Sequence, residues 1–326
     1  MKNNHLDREI KGICLDVPKD GDTGLLVRFI DEWLAPRECN LLVLLTRYAY
    51  RFESRPECAS PNAISKGSMI EIREACKRNK IKLVPKMNLM GHQSEKTKDS
   101  MDELLSGHPE FDETPDADEV YYCRSLCPTH PEIKPVIFDL MDELVDVCEA
   151  DAMHIGCDEV FDIGLCDSCK STGQSTAEIF ANWVNALAGH LGERGKRTYM
   201  WGDRLLSDRT GYGTWEASGN GTEGAISKIK KDITICDWHY GNMDAYVSVD
   251  ILDSHGFEFL ACPWRYKANA EKFLEYADKH GGGNLKGFLA TTWHSSAVIA
   301  KHVMGAEKSD NETVQNLAAT LNELFK

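Results

Sequence analysis

The chain has 326 residues, of which 42% are hydrophobic and 27% charged, a composition typical of an ordinary globular protein. Its 37 basic and 52 acidic residues give a formal net charge of -15, which argues against nucleic acid or an anionic membrane as a partner. The N-terminal residues contain no signal-like apolar core, and no apolar run approaches the ~20 residues that span a bilayer. We therefore expect a cytoplasmic protein.

Short apolar runs recur along the whole chain and alternate with amphipathic stretches. Each run is short and apolar enough for a strand that is buried on both faces. The predicted strands are Gly12–Val17, Leu41–Thr46, Ile81–Asn88, Ala152–Glu159, Thr198–Asp203, Ile233–Tyr240, Glu258–Trp264 and Gly287–His294.

Helical periodicity fills the segments between these runs. Apolar residues recur at helical spacing in Thr23–Leu34, Ile133–Cys148 and Glu178–Leu191. Ser68 with Glu71 three residues later predicts a capping box at the start of another helix. A last helix is predicted over 312–325.

Eight strand-then-helix units predict an α/β fold, a (β/α)8 TIM barrel formed as a single domain by residues 1–326, with strands from about 12 to 294. A doubly wound open sheet is the alternative, but no G-x-G-x-x-G follows the first strand. The one long irregular stretch, Gln93–His130, follows the third strand on the face where barrel active sites lie. Loops of this length are usually functional or disordered.

The C-terminal ends of the predicted strands are rich in polar and aromatic residues. In a barrel of this kind the reactive groups lie at these ends. Tryptophan stands at the end of four successive late strands, and the apolar face of a pyranose stacks well on indole. These tryptophans predict a sugar-binding cup, the alternative being that they fill the layer between barrel and helices; they are Trp201, Trp238, Trp264 and Trp293.

The adjacent carboxylates Asp158 and Glu159 end the fourth predicted strand. Neighbouring strand residues point to opposite faces, so the backbone must turn there if both are to face the barrel mouth. Their apolar approach, Ala152–Cys157, predicts a poorly solvated pair. Desolvation and a like charge should raise the pKa of one carboxyl, as a general acid requires. The alternative is a solvated surface pair.

The heptapeptide His154–Val160, H-I-G-C-D-E-V, resembles glycoside hydrolase family 20, and most closely its hexosaminidase D branch. Supporting similarities lie in Val84–His92, which resembles the third-strand stretch of the family ending in Gly-His, and in Trp201-Gly-Asp203. Trp293 stands where the family has the tryptophan of its pocket floor.

The resemblance implies a retaining exo-β-N-acetylhexosaminidase that hydrolyses terminal β-linked N-acetylglucosamine or N-acetylgalactosamine without a cofactor. In this family the 2-acetamido oxygen of the substrate attacks C1 and forms an oxazoline-like intermediate. By analogy Glu159 is the general acid and base, and Asp158 holds the acetamide N–H. Tyr240, with Tyr266 as second candidate, would bind the acetamide oxygen.

The other site residues follow from the same resemblance. His92 and His154 would orient the acid and its surroundings, Asp203 would contribute to the substrate site, and the four tryptophans would wall the pocket. The family arginine after the first strand is missing here, and Lys19, Arg47 or Arg51 could take over its contacts with sugar hydroxyls. Related barrels often pair, so a homodimer stays open.

Two cysteine pairs, Cys123-x3-Cys127 and Cys166-x2-Cys169, flank the predicted catalytic strand. Together they could form a four-thiolate structural zinc site. Free thiols in a reducing compartment and a redox-active pair are the alternatives.

Three rival functions remain open from the sequence. A non-catalytic N-acetyl-sugar-binding barrel would need no acid at the scissile bond. A glycosidase of sulfated or oligomeric glycans would use basic residues near the mouth, including Arg51 and Arg265. A metal-dependent barrel hydrolase would draw its ligands from Asp16, His92, His154, Asp158 and Asp203.

Overall fold

Eight parallel strands close into a barrel in which each strand pairs with its neighbours in chain order. A computed structural model describes residues 8–326, so residues 1–7 of the predicted domain lie outside the described part. Closure joins β1 to β8, with Ile10 opposite Gly287. The strands are β1 Ile10–Asp16, β2 Leu41–Leu45, β3 Lys82–Lys86, β4 Ala152–His154, β5 Arg197–Trp201, β6 Thr234–Trp238, β7 Phe259–Cys262 and β8 Leu285–Ala290.

The predicted TIM barrel is thus confirmed, and the open-sheet alternative is wrong. All five residues of β2 are buried, because one face of the strand meets the barrel interior and the other meets the helices. Every predicted strand extends one to five residues beyond the C-terminal end of the observed one. Some of those extra residues, among them Asn88, Glu159, Tyr240 and Trp293, line a cavity at the barrel mouth.

Helices surround the barrel and carry their apolar faces inward. They are α1 Thr23–Phe29, α2 Lys66–Arg78, α3 Glu103–Gly107, α4 Ile133–Val147, α5 Asp167–Ser171, α6 Thr176–Glu193, α7 Val247–Ser254, α8 Lys267–His280, α9 Ser296–Val303 and α10 Glu312–Leu324. None of the helices within residues 8–326 is both long and apolar enough to cross a membrane.

Two helix predictions need correction at their N-termini. The predicted capping box at Ser68 is wrong, because α2 begins earlier and Ser65 caps it by accepting the Ser68 N–H at 3.2 Å. A true capping box precedes α6, where Ser175 and Glu178 bond reciprocally. In both cases a serine three residues upstream satisfies an otherwise unpaired N–H of the first turn.

The fifth crossover departs from the predicted strand-then-helix pattern. Between β5 and β6 the chain forms only 3-10 turns, at Asp203–Leu205, Asp208–Thr210 and Thr222–Ser227. Glycines at 211, 213 and 221 adopt positive φ and interrupt any longer helix. This crossover therefore presents loops rather than a helix beside the barrel mouth.

Candidate active site

A cavity of about 410 Å³ opens at the C-terminal ends of the strands, within the size range of small-molecule sites. It brings together most of the residues that the sequence predicts for the site: Arg47, His92, Asp158, Glu159, Trp201, Trp238, Tyr240, Trp264 and Trp293. His154, Asp203 and Lys19 do not line it.

The chain after β4 turns so that Asp158 and Glu159 both reach the cavity. The strand ends at His154, and Gly156, Cys157 and Glu159 then adopt positive φ of 70°, 66° and 48°. A Cβ on Gly156 would lie 2.8 Å from the Met87 carbonyl oxygen, so only glycine fits there. Left-handed backbone at two non-glycine residues is a strained arrangement of the kind found at functional sites.

His92 bridges the two carboxylates. Its Nε2 lies 3.1 Å from Asp158 Oδ2 and 3.1 Å from Glu159 Oε2. Burial disfavours the imidazolium, but the charge and hydrogen bond of Asp158, together with those of Glu159, raise the pKa of His92 to about 9. The ring is therefore a cation at neutral pH, shared between the pair.

The electrostatics of Asp158 show that it is not the carboxyl whose pKa is raised. Burial raises its pKa, but the His92 cation, its hydrogen bond and the charge of Lys86 outweigh burial and lower the pKa of Asp158 below its ordinary value. Asp158 is therefore ionised, and the predicted rise caused by the neighbouring carboxylate does not apply to it. Among the described residues its buried Oδ1 has no hydrogen-bond partner.

Lys86 is a site residue that the sequence reasoning missed. It is buried at the end of β3 and lines the cavity, with Nζ 2.7 Å from Asn88 Oδ1 and 5.5 Å from the Trp201 ring centre. Burial lowers its pKa, while the nearby Asp158 acts in the opposite direction. A lysine inside an apolar strand was the signal, since such a charge is rarely buried without a partner.

Asp203 lies behind the cavity wall, which corrects its prediction as a substrate-binding residue. Its Oδ2 accepts the Glu159 backbone N–H at 2.9 Å and pairs with Arg204 Nε at 2.7 Å. Its Oδ1 accepts the Trp238 indole N–H at 3.3 Å. The 3-10 turn after β5 carries it there, so Asp203 holds the backbone of one carboxylate and one tryptophan of the cup.

Three further residues predicted for the site do not line the cavity. His154 is fully buried beneath the cavity, where its Nδ1 accepts the Gly156 N–H at 3.0 Å and burial keeps its pKa well below the usual value. Lys19 is exposed in the turn before α1, outside the cavity. Tyr266 is 45% exposed and does not line the cavity either.

Arg47 lines the cavity, whereas Lys19 and Arg51, the other two basic residues predicted for the sugar hydroxyls, do not. It follows β2 with φ 47°, and its side chain is exposed and forms no hydrogen bond or ion pair within residues 8–326. Arg51, by contrast, pairs with Asp20 at 2.8 Å away from the cavity. Arg47 is therefore the basic side chain available to sugar hydroxyls.

Indole and phenol rings form one wall of the cavity. Tyr240 lies between Trp238 and Trp264, with ring centres 5.0 and 5.1 Å away, and its hydroxyl accepts the Trp293 indole N–H at 3.1 Å. Burial raises the pKa of Tyr240 well above its usual value, so the phenol stays protonated. Trp201 packs 6.0 Å from Trp293 and completes this apolar cup.

The long loop after β3 forms another part of the cavity wall. It contributes Cys123 and four cavity residues that the sequence did not single out: Ser94, Glu95, Asp102 and Tyr122. Burial raises the pKa of Asp102 to about 6, although the positive charge of Arg47 opposes the rise. The position of the loop was predictable, but the identity of its inward-facing residues was not.

A cluster of aromatic rings surrounds Tyr122, which lines the cavity. The ring centre of Tyr122 lies 4.9 Å from that of Trp215 and 5.8 Å from that of Phe161. Tyr121 and Trp215 are 61% and 43% exposed. We call Tyr121, Tyr122, Phe161 and Trp215 the aromatic rim, a cluster of rings packed mostly edge to face that extends from the cavity lining at Tyr122 to solvent.

The predicted four-cysteine set is only partly assembled. Cys123 lies apart, at the cavity wall, where its sulfur accepts the His92 backbone N–H at 3.2 Å. The other three cysteines meet Glu113 instead. The prediction of Cys123 as a zinc ligand is therefore wrong, because this cysteine lines the cavity and does not belong to the cluster.

The ligand set of a metal-dependent hydrolase is not assembled either. Within the described residues, the cluster of possible metal ligands at the cavity consists of His92, Asp158 and Glu159, whose ligand atoms lie within 4.8 Å of one another. Neither His154 nor Asp203 belongs to it, because each is committed to backbone contacts behind the wall.

Comparison with solved structures shows the same fold in several proteins. The chitobiase of Flavobacterium johnsoniae is 17% identical with a TM-score of 0.68, covering 97% of this chain and 51% of that one. The exo-β-N-acetylglucosaminidase of Vibrio harveyi, in complex with N-acetylglucosamine, is 14% identical with a TM-score of 0.65, and the match covers 97% of this chain and 57% of that one. Dispersin B is 15% identical with a TM-score of 0.61, and the match covers 97% of this chain and 98% of that one. The chain thus spans only about half the length of the first two proteins.

The sequence itself matches a family model. The model for glycosyl hydrolase family 20, catalytic domain, aligns with residues 38–307, which include the cavity residues from Arg47 to Trp293. No curated protein matches the sequence. The family resemblance found at His154–Val160 is confirmed by this match over most of the chain. The chain therefore belongs to glycosyl hydrolase family 20.

Proposed function

We propose that this chain is a retaining exo-β-N-acetylhexosaminidase that hydrolyses terminal β-linked N-acetylglucosamine or N-acetylgalactosamine by substrate-assisted catalysis. One observation carries the proposal: two adjacent carboxylates, bridged by His92, open into a cup of four indoles and one phenol. Such a cup fits the apolar face of a pyranose and the methyl group of an acetamide. Family membership and the N-acetylglucosamine complex of the Vibrio harveyi protein support the same chemistry.

Asp158 and Tyr240 would position the acetamide. Asp158 is ionised and its carboxylate lines the cavity, so it can accept the acetamide N–H, which directs the acetamide oxygen towards C1. The negative charge of Asp158 also stabilises the positive charge that develops on the acetamide as its oxygen attacks. The protonated Tyr240 hydroxyl, held by Trp293, donates a hydrogen bond to that oxygen.

Glu159 would act as general acid and then as general base. In the first step it protonates the glycosidic oxygen while the C1–O bond breaks and the acetamide oxygen bonds to C1. In the second step it removes a proton from water, which attacks C1 and reopens the oxazoline-like ring. Two inversions at C1 give net retention, and the same carboxyl group is regenerated.

Recognition of the sugar hydroxyls would fall to Arg47 and Asp102, and recognition of the leaving group to the aromatic rim. Arg47 and Asp102 both line the cavity and a smaller cleft that continues from it towards Asp16. Arginine and carboxylate side chains suit hydroxyl groups as donor and acceptor. The aromatic rim reaches the cavity at Tyr122, which lines it together with Glu159, and its exposed Tyr121 and Trp215 rings offer apolar contacts to a second sugar or an aryl group in the leaving group.

Substitution of the two carboxylates tests the proposal. With an aryl β-N-acetylglucosaminide and its galacto epimer, Glu159→Gln should lower kcat by ~10²–10⁴ with little change in KM. Azide should partly restore Glu159→Ala on an activated substrate, and Asp158→Asn should be severely impaired. Glu275→Gln, the same change at an exposed site on α8, is the matched control. Wild-type rates for Glu159→Gln would overturn the assignment, and sugar binding without any hydrolysis would favour a lectin.

A further inference from the structure

We propose that Glu113, Cys127, Cys166 and Cys169 form a structural zinc site that joins two loops of the active-site face. The site lies outside the cavity and does not depend on the proposed hydrolytic function. Its ligands come from the long loop after β3, which supplies Glu113 and Cys127, and from the segment around α5, which supplies the two other cysteines.

The four side chains converge at distances that suit one tetrahedral ion. Cys127 Sγ lies 3.2 Å from Cys166 Sγ and 3.8 Å from Cys169 Sγ. Glu113 Oε2 lies 3.4 and 3.2 Å from the same two sulfurs. With Zn–S of ~2.3 Å and Zn–O of ~2.0–2.2 Å, a tetrahedral zinc site has S–S distances of ~3.8 Å and S–O distances of ~3.5 Å.

The chemistry of Glu113 points to a cation among these groups. Its carboxylate is fully buried, yet within residues 8–326 it forms no ion pair with lysine, arginine or histidine. Its Oε1 accepts the backbone N–H groups of Leu165 and Cys166, while its Oε2 faces only thiols. A buried carboxylate is costly unless it is paired or binds a metal, and zinc accepts a mixed thiolate and carboxylate set.

The ligands are held in place before any ion binds. Cys127 and Cys169 are 2% and 1% exposed, and the Cys169 N–H donates to Cys166 Sγ at 3.3 Å. Thr129 Oγ1 donates to Cys169 Sγ at 3.2 Å. Such hydrogen bonds orient metal ligands, and zinc binding would displace the thiol protons to solvent.

The position of the site gives it a mechanical role. Cys127 follows the loop segment that carries Tyr122 and Cys123 into the cavity wall, and Cys166 follows the segment that begins with Glu159. An ion bound by both segments would fix their separation. Zinc would thus stabilise the part of the cavity wall that contains Tyr122 and Cys123 without taking part in catalysis.

Metal analysis of the full-length chain, expressed with added zinc, tests the proposal directly. The expected result is close to one zinc per chain, and X-ray absorption at the zinc edge should show three sulfurs at ~2.3 Å and one lighter ligand at ~2.0–2.2 Å. Less than about 0.3 zinc per chain, or a zinc spectrum dominated by nitrogen ligands, would overturn it. A disulfide between Cys127 and Cys166 in the purified protein would also overturn it.

Variants locate the ion within the chain. Cys166→Ser combined with Cys169→Ser should abolish zinc binding, whereas Cys148→Ala, which removes a buried thiol from the end of α4, should retain it. Zinc retained by the double variant would contradict the site. If the double variant does not fold, the absorption spectrum of the wild-type protein decides between three sulfur ligands and any other set.

Discussion

The contact of His92 with Asp158 and Glu159 predicts a specific dependence of stability on pH. The pKa of His92 rises from 6.5 to about 9 in the folded chain, and its side chain is only 19% exposed. At ~1.4 kcal/mol per pKa unit, the shared contact stabilises the fold by about 3 kcal/mol. The lowered pKa of Asp158 reflects the same contact, so the free energy is counted once.

The sign follows from the direction of the shift. The folded state binds the His92 proton more tightly than the unfolded chain does, so the stabilisation is fully present below about pH 6.5. It is lost as the pH rises through about 9. Substitution by glutamine keeps a donor at this position but removes the titrating charge, so His92→Gln should lack this part of the pH dependence.

Urea unfolding of both proteins between about pH 6 and pH 10 measures the effect. The difference in free energy of unfolding between wild type and His92→Gln should shrink by about 3 kcal/mol over this range. His239, whose pKa is also raised to about 9, cancels in the difference because both proteins contain it. A difference that stays constant with pH would refute the bridging imidazolium.

Three further substitutions test individual contacts of the site. Tyr240→Phe removes the donor to the acetamide oxygen, so kcat on an aryl N-acetylglucosaminide should fall ~10–100-fold, and an unchanged kcat would rule out that role. Gly91→Ala places a Cβ 2.6 Å from the Asp158 carbonyl oxygen, which should displace the Asp158 carboxylate and lower kcat at least ~10-fold. Wild-type kinetics would show that the backbone shifts without moving the carboxylate. Trp215→Ala removes an exposed ring of the aromatic rim, so KM for a disaccharide substrate should rise ~2–10-fold, and equal KM values would exclude the rim as a leaving-group site.

The barrel was predictable because its strands are buried on both faces. A continuous apolar run such as Leu41–Leu45 has no other stable place in a protein of this size, and eight such runs separated by helical periodicity match one architecture. The ends of the strands were less predictable. Tryptophan and tyrosine favour strands by composition, so residues such as Trp238–Tyr240 extended the predicted strand into the cavity wall.

The location of the two adjacent carboxylates was predictable from the sequence, but their electrostatics were not. Asp158 and Glu159 follow a buried strand, which places them at the barrel mouth. The cation that sets the protonation of Asp158 comes from His92, more than sixty residues earlier, and only the folded chain reveals that distance of 3.1 Å. The same reason explains why Glu113 was missed, because Leu165, Cys166 and Cys169, which contact its carboxylate, lie more than fifty residues later.

Orientation at the strand ends accounts for the site predictions that failed. His154, the last residue of β4, turns its ring beneath the cavity, and the 3-10 turn after β5 carries Asp203 behind the wall. A shift of one residue in a strand end reverses the side of the sheet that a side chain faces. Sequence spacing therefore identified these residues as close to the site without showing which way they point.

A series of aryl β-glycosides with successively fluorinated N-acetyl groups tests substrate assistance most directly. Fluorine withdraws electron density from the acetamide oxygen, so a mechanism in which that oxygen attacks C1 predicts a steep fall in kcat/KM from acetyl to trifluoroacetyl, with the leaving group held constant. Equal kcat/KM values across the series would contradict the account, because the attacking group would then not be the acetamide that Asp158 is proposed to hold.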